Sequence, residues 1–326
     1  MDFSDILQPQ KIFYSHLTSG LCIRPNQIYG EYKEIIDFQV DSVNASLYFI
    51  VEIDRIQFIP AKTSVSKDGT IKLALNIGGK RFCEAKITFP QIMLSNNLPP
   101  DFKSMVFGVR DVNDYFSLLK KRKYKPCTGI SLDSDTTDEQ IVLNVFAPTF
   151  TSKLPLLPFR VVQEAGINIG INPKILYIGQ SRQIKKRANS HEKIQRALAE
   201  VNRDKDIYIY FFDFNSKVWL VDLPVEEYEA LDADNPSKVD DKGRLNLVEM
   251  ALINYFKPRY NSILTRSNVT SNKQVEKLMK AHHYTQLIVE VSFDSEFFSF
   301  GSDEISNKKD HLIIYQLDNP FLNMEY

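Results

Sequence analysis

Cysteines are scarce in this sequence, and the three that are present form no recognisable pattern. Cys22, Cys83 and Cys127 are odd in number and widely separated along the chain. A disulfide framework needs paired cysteines, and a structural zinc site needs closely spaced ligands. We therefore interpret all three as reduced thiols.

Long hydrophobic runs and a large excess of charge of one sign are also lacking. No apolar stretch approaches the ~20 residues that a transmembrane helix requires. Residues 1–6 contain no basic segment leading into an apolar core, as a signal peptide would. The formal net charge is -1, so a nucleic acid would have to bind at local basic patches. These absences predict no membrane association and a cytoplasmic location.

The chain does have the length and apolar content of a folded protein. Its 326 residues are 43% hydrophobic, which suggests about two domains with sizeable cores. The first half is rich in runs that favour strands, and two of them flank Gly78-Gly79, which indicates a β-hairpin. These runs are residues 44–60, 70–77, 81–89 and 140–146. We predict a β-rich domain over residues 1–150, with one short helix at 111–119. Its role is target recognition, partner binding, or packing support for the second half.

One basic run in this half permits two interpretations. Lys120, Lys121, Arg122, Lys123 and Lys125 surround Tyr124. The cations can bind phosphates while the tyrosine stacks on a base. A surface run of charge is more often a solvated loop, and the sequence leaves this alternative open.

Prolines at 148, 155 and 158 place the domain boundary near residue 150. The second half alternates strand-like and helix-like runs. We predict strands at 159–163, 175–178, 206–214 and 218–221, and helices at 182–202 and 245–256. Residues 267–326 are predicted to form an α/β extension that packs on the other domains or completes the N-terminal sheet, with a helix at 272–283 and strands at 286–293 and 311–315.

Five polar residues recur in an order that has chemical meaning. Tyr177 begins a Tyr-Ile-Gly tripeptide, Arg187 and His191 follow four residues apart, Glu249 lies within a predicted helix, and Asn261 ends Lys-Pro-Arg-Tyr-Asn. In this order and spacing, residues 155–265 resemble the GIY-YIG nuclease family. The resemblance identifies residues 151–266 as a nuclease-like domain.

The resemblance implies an α+β fold, with a small mixed sheet flanked by helices and preceded by the β-rich domain. It also implies metal-dependent hydrolysis of phosphodiester bonds. Glu249 would be the ligand of Mg²⁺ or Mn²⁺, and Arg187 would contact phosphate oxygens. Tyr177 would orient or deprotonate the attacking water, and His191 would relay a proton or hydrogen-bond the phosphate. Asn261 would hold the Glu249 region in place.

Other interpretations of these residues are available. Tyr177 can be a core aromatic, Arg187 and Glu249 can form an ordinary ion pair, and His191 can be a surface residue. The family's first motif, Gly-Ile-Tyr, is absent from the aligned segment at 158–163. Tyr177 can suffice alone, another residue can substitute, or catalysis can be lost. The last option gives the alternative function, an inactive module that binds nucleic acid or a protein partner.

A locally basic zone indicates a polyanionic partner. Cations concentrate on the predicted helix after Tyr177 and after the second helix, which is the footprint expected for binding a phosphate backbone. They include Arg182, Lys185, Lys186, Lys193, Arg196, Lys257 and Arg259. We expect DNA as the partner, with RNA not excluded, and by family analogy a role in restriction or in defence against foreign DNA.

Overall fold

In a computed structural model, the chain is an α+β protein rich in strands. The structure describes residues 10–28, 45–67, 70–88, 105–107, 109, 111–123, 128–146, 151–164, 166–180, 192–221, 229–231, 241–261, 268–281, 283–292 and 299–316. Among them are fifteen strands and five α-helices. None of these helices has the length and apolar composition needed to span a bilayer.

The strands and helices are numbered in chain order. The strands are β1 (Gln10–Ile23), β2 (Leu47–Asp54), β3 (Ile56–Phe58), β4 (Ser64–Val65), β5 (Thr70–Ile77), β6 (Arg81–Thr88), β7 (Met105–Phe107), β8 (Thr128–Leu132), β9 (Ile141–Phe146), β10 (Thr151–Leu156), β11 (Lys174–Gln180), β12 (Lys205–Val221), β13 (Glu229–Leu231), β14 (Gln286–Ser292) and β15 (Asp310–Gln316). The helices are α1 (Val112–Lys121), α2 (Pro158–Glu164), α3 (Glu192–Glu200), α4 (Asp241–Phe256) and α5 (Asn268–Ala281).

The chain divides into two compact units. Unit 1 comprises Met1–Ile53, Asn172–Asn202 and Asp206–Tyr326, and unit 2 comprises Asp54–Ile171 and Arg203–Lys205. This division differs from the boundaries expected near residues 150 and 266. The reason is strand pairing, because β1 and β2 belong to the same sheet as strands from the second half of the chain.

Unit 1 is organised around a seven-stranded sheet. Its order is β11-β2-β12-β1-β14-β15, with β13 paired to β12. β1 runs antiparallel to β12 and parallel to β14, and β11 runs antiparallel to β2. The buried side chains of α3, Ile194 and Ala197, pack in one cluster with Ile50, Leu176 and Ile209 of the sheet. This apolar contact fixes α3 over the strands that carry the candidate site.

Helix α4 confirms the predicted helix at 245–256. Val248, Ala251 and Leu252 are buried, as the predicted stripe requires. The helix ends at Phe256. The next residue, Lys257, has a positive φ of 47°, and Pro258 has no N–H group to continue the helical hydrogen bonding.

Unit 2 contains two four-stranded sheets. One has the order β10-β9-β8-β7, and the other has β3-β5-β4 with β6 paired to β5. The predicted hairpin is confirmed, since Gly78 and Gly79 join β5 to β6 with φ values of +59° and +67°. Both angles favour glycine and suit a tight hairpin turn. The predicted short helix is also confirmed as α1, whose N-cap Asp111 accepts a hydrogen bond from the Asp114 N–H at 2.8 Å.

Two expectations about local structure need correction, and one strand was not predicted. Residues 159–163, predicted as a strand, lie in helix α2, which begins at Pro158, a residue suited to a first helical turn. Residues 218–221 are not a separate strand but the end of the long β12. The sequence also gave no prediction of β1, whose pattern contains polar residues such as Ser15 and Ser19. The predicted helix at 182–202 is described only from Glu192 onward.

Candidate active site

Two tyrosines meet at one glycine on the sheet of unit 1. Tyr177 lies on β11, and Tyr48 lies on β2 directly opposite Gly179. The two phenol rings are tilted against each other, with centroids 5.7 Å apart. A Cβ built at Gly179 would lie 2.9 Å from the Tyr177 hydroxyl oxygen and 3.0 Å from that of Tyr48. Both hydroxyl groups therefore converge on the space that the glycine leaves empty.

Glu249 reaches the end of the same strand from helix α4. The side-chain Nε2 of Gln180 donates to Glu249 Oε2 at 2.6 Å and to Asn246 Oδ1 at 2.7 Å. Asn246 and Glu249 are three residues apart and so lie on one face of α4. Burial raises the pKa of the Glu249 carboxyl, and the hydrogen bonds from Gln180 oppose that rise. The carboxylate is thus oriented, half-buried and costly to ionise.

The tyrosines and the carboxylate approach β11 from opposite sides. Gly179 is opposite Tyr48 and Gln180 is opposite Leu47, and successive strand residues face opposite sides of a sheet. β11 ends the strand order of its sheet. The two hydroxyl groups and the carboxylate thus lie on opposite faces near the C-terminal end of the described β11.

Asn261 holds β11 through two side-chain hydrogen bonds. Its Oδ1 accepts from the Ile178 N–H at 2.9 Å, and its Nδ2 donates to the Ile178 carbonyl at 2.8 Å. The neighbouring Tyr260 N–H donates to the Leu176 carbonyl at 2.9 Å. Asn261 is buried, so these bonds are shielded from water. The side chain positions the strand that carries Tyr177, and its predicted role in holding the Glu249 region stays a prediction.

The described cations of the predicted basic zone all have polar partners. Lys193 contacts Glu192 at 3.3 Å, and Lys257 contacts Glu304 at 2.6 Å. Arg259 Nη2 donates to the Tyr260 hydroxyl at 2.8 Å, and that hydroxyl donates to Glu200 at 2.7 Å. These pairings offset much of the positive charge that the sequence assigns to this zone.

Arg196 completes this network on α3. Its Nε donates to Glu200 Oε1 at 2.7 Å, and its guanidinium lies 5.0 Å from the centroid of the Tyr260 ring. The hydrogen bond from Arg196 is the main cause that lowers the pKa of Glu200. The other predicted residues of the zone, Arg182, Lys185, Lys186, Arg187 and His191, lie outside the described residues.

The basic run of unit 2 ends helix α1. Lys120 and Lys121 are exposed in its last turn, where cations favour the helix dipole. Arg122 follows at the C-cap, and Lys123 is exposed with a positive φ of 53°. Tyr124, which the sequence suggested as a stacking residue, lies outside the described residues. The run belongs to a different unit from Tyr177.

Glu249 and Asn246 are the oxygen donors available for the Mg²⁺ that the resemblance implies. Within the described part of the chain, no three His, Cys, Asp or Glu side chains cluster as a metal site. Mg²⁺ at a phosphate is commonly held by one or two carboxylates, with water and phosphate oxygens completing the shell. Glu249, a hard oxygen donor beside the amide oxygen of Asn246, fits that requirement.

Sequence reasoning missed two contributors to this geometry, Tyr48 and Gln180. Tyr48 lies within a predicted strand and follows an aliphatic residue, as a tyrosine does in Gly-Ile-Tyr, but Ser46 replaces the glycine. Unit 2 separates β2 from β11 along the chain, so proximity gave no signal. Gln180 directly follows the Tyr-Ile-Gly tripeptide, and its partner on α4 was not evident from spacing.

No protein-family model, curated protein or solved structure matches this chain. Its function is therefore inferred from its own residues and motifs.

Proposed function

We propose that the chain is a metal-dependent endonuclease of the GIY-YIG type, which hydrolyses phosphodiester bonds in DNA. One observation carries the proposal. Two tyrosine hydroxyl groups converge over Gly179 of the Tyr-Ile-Gly tripeptide, and the next residue, Gln180, orients the Glu249 carboxylate. A site that only binds an anion has no use for a half-buried carboxylate at this position.

We further assign Tyr48 to the place of the first family tyrosine. The motif resemblance in the sequence aligned residues 158–163 with that tyrosine motif, but this segment is helical. β2 is the antiparallel neighbour of β11, and Tyr48 contacts the ring of Tyr177. The segment Ser46-Leu47-Tyr48 then replaces Gly-Ile-Tyr, and unit 2 is an insertion between the two tyrosine strands.

The chain's own residues can then be given roles. The Tyr48 and Tyr177 hydroxyl groups hold the attacking water, and one of them takes a proton from that water while it passes its own phenolic proton to His191 or to solvent. Gln180 keeps Glu249 in the orientation of a ligand for Mg²⁺ or Mn²⁺. The metal ion, when bound, would stabilise negative charge on the phosphate and on the leaving oxygen. In this proposal Arg187 contacts phosphate oxygens, and His191 hydrogen-bonds the phosphate or relays a proton.

The test is cleavage of supercoiled plasmid and of single-stranded DNA with Mg²⁺ or Mn²⁺. We expect Glu249→Gln to lower the rate by about 100-fold or more, and Tyr177→Phe and Tyr48→Phe by about 100-fold each. Glu276→Gln, at an exposed position of α5, and Tyr14→Phe, whose hydroxyl donates to Glu290, are the matched controls. Full activity of Tyr48→Phe would refute the assignment of that residue.

A second readout separates the enzyme from the inactive module. Mg²⁺ should raise the melting temperature of wild type but not of Glu249→Gln, because a ligand that binds only the folded state stabilises it. If wild type binds DNA without cutting it and Mg²⁺ gives no thermal shift, the inactive binding module becomes the better description.

The biological setting we propose is restriction or defence against foreign DNA, which depends on family analogy. Cells that express wild type should reduce phage plating relative to cells that express Glu249→Gln. Equal plating on the two strains would reject this setting while leaving the chemical proposal standing.

A further inference from the structure

Unit 2 carries a row of side chains across three strands that the proposed active site does not use. Gln57 of β3 is opposite Asn76 of β5, and Asn76 is opposite Phe82 of β6. Opposed residues lie on the same face with Cβ atoms about 5 Å apart. Phe58 and Leu75, the neighbours that point to the other face, are buried. The row therefore faces solvent, and Phe82 is 52% exposed.

The row lines an open cavity of about 340 Å³, together with Pro60, Lys80 and Asp138. This volume lies within the ~300–1,000 Å³ range of small-molecule pockets. The ring of Phe82 forms one side, and Lys62 Nζ lies over one face of that ring, 4.5 Å from its centroid, which leaves the other face for stacking. An exposed aromatic ring in a cavity with a cation beside it suits a planar, electron-rich group attached to an anion.

The amide groups of the row can recognise the edge of such a ring. Gln57 Nε2 donates to Asp138 Oδ2 at 2.6 Å, which fixes its orientation. The Asn76 side-chain amide makes no hydrogen bond to any other described residue. A free amide offers a donor and an acceptor side by side, the pattern that pairs with the edge of a nucleobase.

Two lysines lie on the same face further along the hairpin. Lys72 and Lys86 are directly opposite each other, and both are exposed. Neither forms an ion pair with another described residue, and like charges in opposed positions destabilise a sheet. A phosphate group between them would remove that repulsion. Lys86 lies four residues from Phe82 on β6, about 13 Å along an extended strand. The pair between them on this face is buried Ala74 and exposed Glu84, so a chain that stacks on Phe82 passes one carboxylate before it reaches the lysines.

We propose that this surface, formed by Gln57, Asn76, Phe82, Lys72 and Lys86 and called here the Phe82 face, binds single-stranded nucleic acid. One base stacks on Phe82, the amide of Asn76 contacts its edge, and the lysine pair contacts a phosphate. A flat ring at an open cavity requires an unpaired base, which excludes intact duplex. That the polymer is a nucleic acid rests on the proposed function, whereas binding at this face does not require the active site.

The first test measures binding separately from cleavage. Binding of a labelled single-stranded 12-mer, about the length that one such face contacts, is followed by fluorescence anisotropy in EDTA with the Glu249→Gln protein. Adding Phe82→Ala should weaken binding about tenfold and Phe82→Leu nearly as much, because leucine keeps apolar area but cannot stack. The matched control is Phe116→Ala, an equally exposed phenylalanine of unit 2 at 54%, and it should bind as the parent does.

The second test addresses the charges and the position of the base. Lys72→Ala/Lys86→Ala should reduce the slope of log affinity against log salt by about 1–2, and Lys308→Ala/Lys309→Ala, an exposed pair in unit 1, should leave it unchanged. An oligonucleotide that carries 5-iodouracil should form a photo-crosslink to the peptide that contains Phe82.

Three outcomes would overturn the proposal. In the first, the parent does not bind the 12-mer. In the second, Phe82→Ala weakens binding of a duplex as much as it weakens binding of the 12-mer. In the third, Phe116→Ala weakens binding and Phe82→Ala does not, which would move the binding site to the Lys120–Lys123 run. Because no arm needs cleavage, these failures are distinct from failure of the nuclease. Binding confirmed here with no cleavage by wild type would reject only the nuclease.

Discussion

In unit 1, the described cations of the predicted basic zone each contact a carboxylate or a phenol, whereas in unit 2 Lys72 and Lys86 face each other with no ionic partner among the described residues. Cations that are paired with carboxylates hold neighbouring side chains in place, but they contribute little to the release of counterions when a polyanion binds. Unpaired cations position few neighbours and contribute more to that release. The comparison suggests that the polar groups of unit 1 position a strand and a carboxylate, and that the Phe82 face supplies affinity.

Asparagine substitutions in the two units should show the largest contrast. Asn261→Ala leaves the buried N–H and C=O of Ile178 without their partner, which should lower the free energy of unfolding by about 2–5 kcal/mol. Asn76→Ala, on the Phe82 face, should change it by about 0.5 kcal/mol or less. Urea denaturation of both variants measures the difference, and similar values would remove the basis of the comparison.

A glycine substitution tests whether the two hydroxyl groups need the empty space at Gly179. Gly179→Ala places a Cβ 2.6 Å from Tyr177 Cε1, so the rings must shift. We expect this shift to lower the free energy of unfolding by about 1–3 kcal/mol and the cleavage rate by about 100-fold. The control is Gly166→Ala, where a Cβ meets nothing within 4 Å but φ is +61°. That variant should lose about 1 kcal/mol and keep its activity. Unchanged cleavage by Gly179→Ala would argue against convergent tyrosines.

The free-energy cost of burying the Glu249 carboxylate should make the stability of the protein depend on pH. Because burial raises the pKa of the Glu249 carboxyl, ionising it favours the unfolded state. The free energy of unfolding of wild type is thus highest below the ordinary carboxyl pKa, and it falls as pH rises through the raised pKa of Glu249 in the folded state. Glu249→Gln should match wild type near pH 4 and melt a few degrees higher near pH 8. Thermal scans at both values test this, with exposed Glu276→Gln as the control, and a difference independent of pH would contradict it.

The smallest effect is expected where cations are already paired. Lys257→Ala/Arg259→Ala should change affinity for single-stranded DNA by about twofold or less, because Glu304 and Glu200 already offset these charges. Its salt slope should match that of the parent, in contrast to Lys72→Ala/Lys86→Ala. A slope reduced as much by both double variants would show that the basic zone of unit 1 also binds the backbone.

Local patterns predicted individual elements well and their assembly poorly. The Gly78-Gly79 hairpin, α4 and β11 follow from turn chemistry and apolar periodicity, which act over short stretches of sequence. The strand predicted at 159–163 was wrong because a short apolar segment is compatible with a buried helix as well as with a strand. The pairing of Tyr48 with Tyr177 depends on β2 meeting β11 across the whole of unit 2, and no local pattern carries that information.

The place where unit 2 leaves and rejoins unit 1 has a consequence for how such a chain can change. Lys174 lies opposite Glu52, so β2 and β11 would form a plain hairpin if a short turn joined them. The entropy of closing a loop rises only slowly with its length. Sequence inside the insertion can therefore be lengthened, shortened or exchanged while the two tyrosine strands stay in register. If the proposed function holds, such a chain can acquire new targets while the residues of its proposed active site stay unchanged.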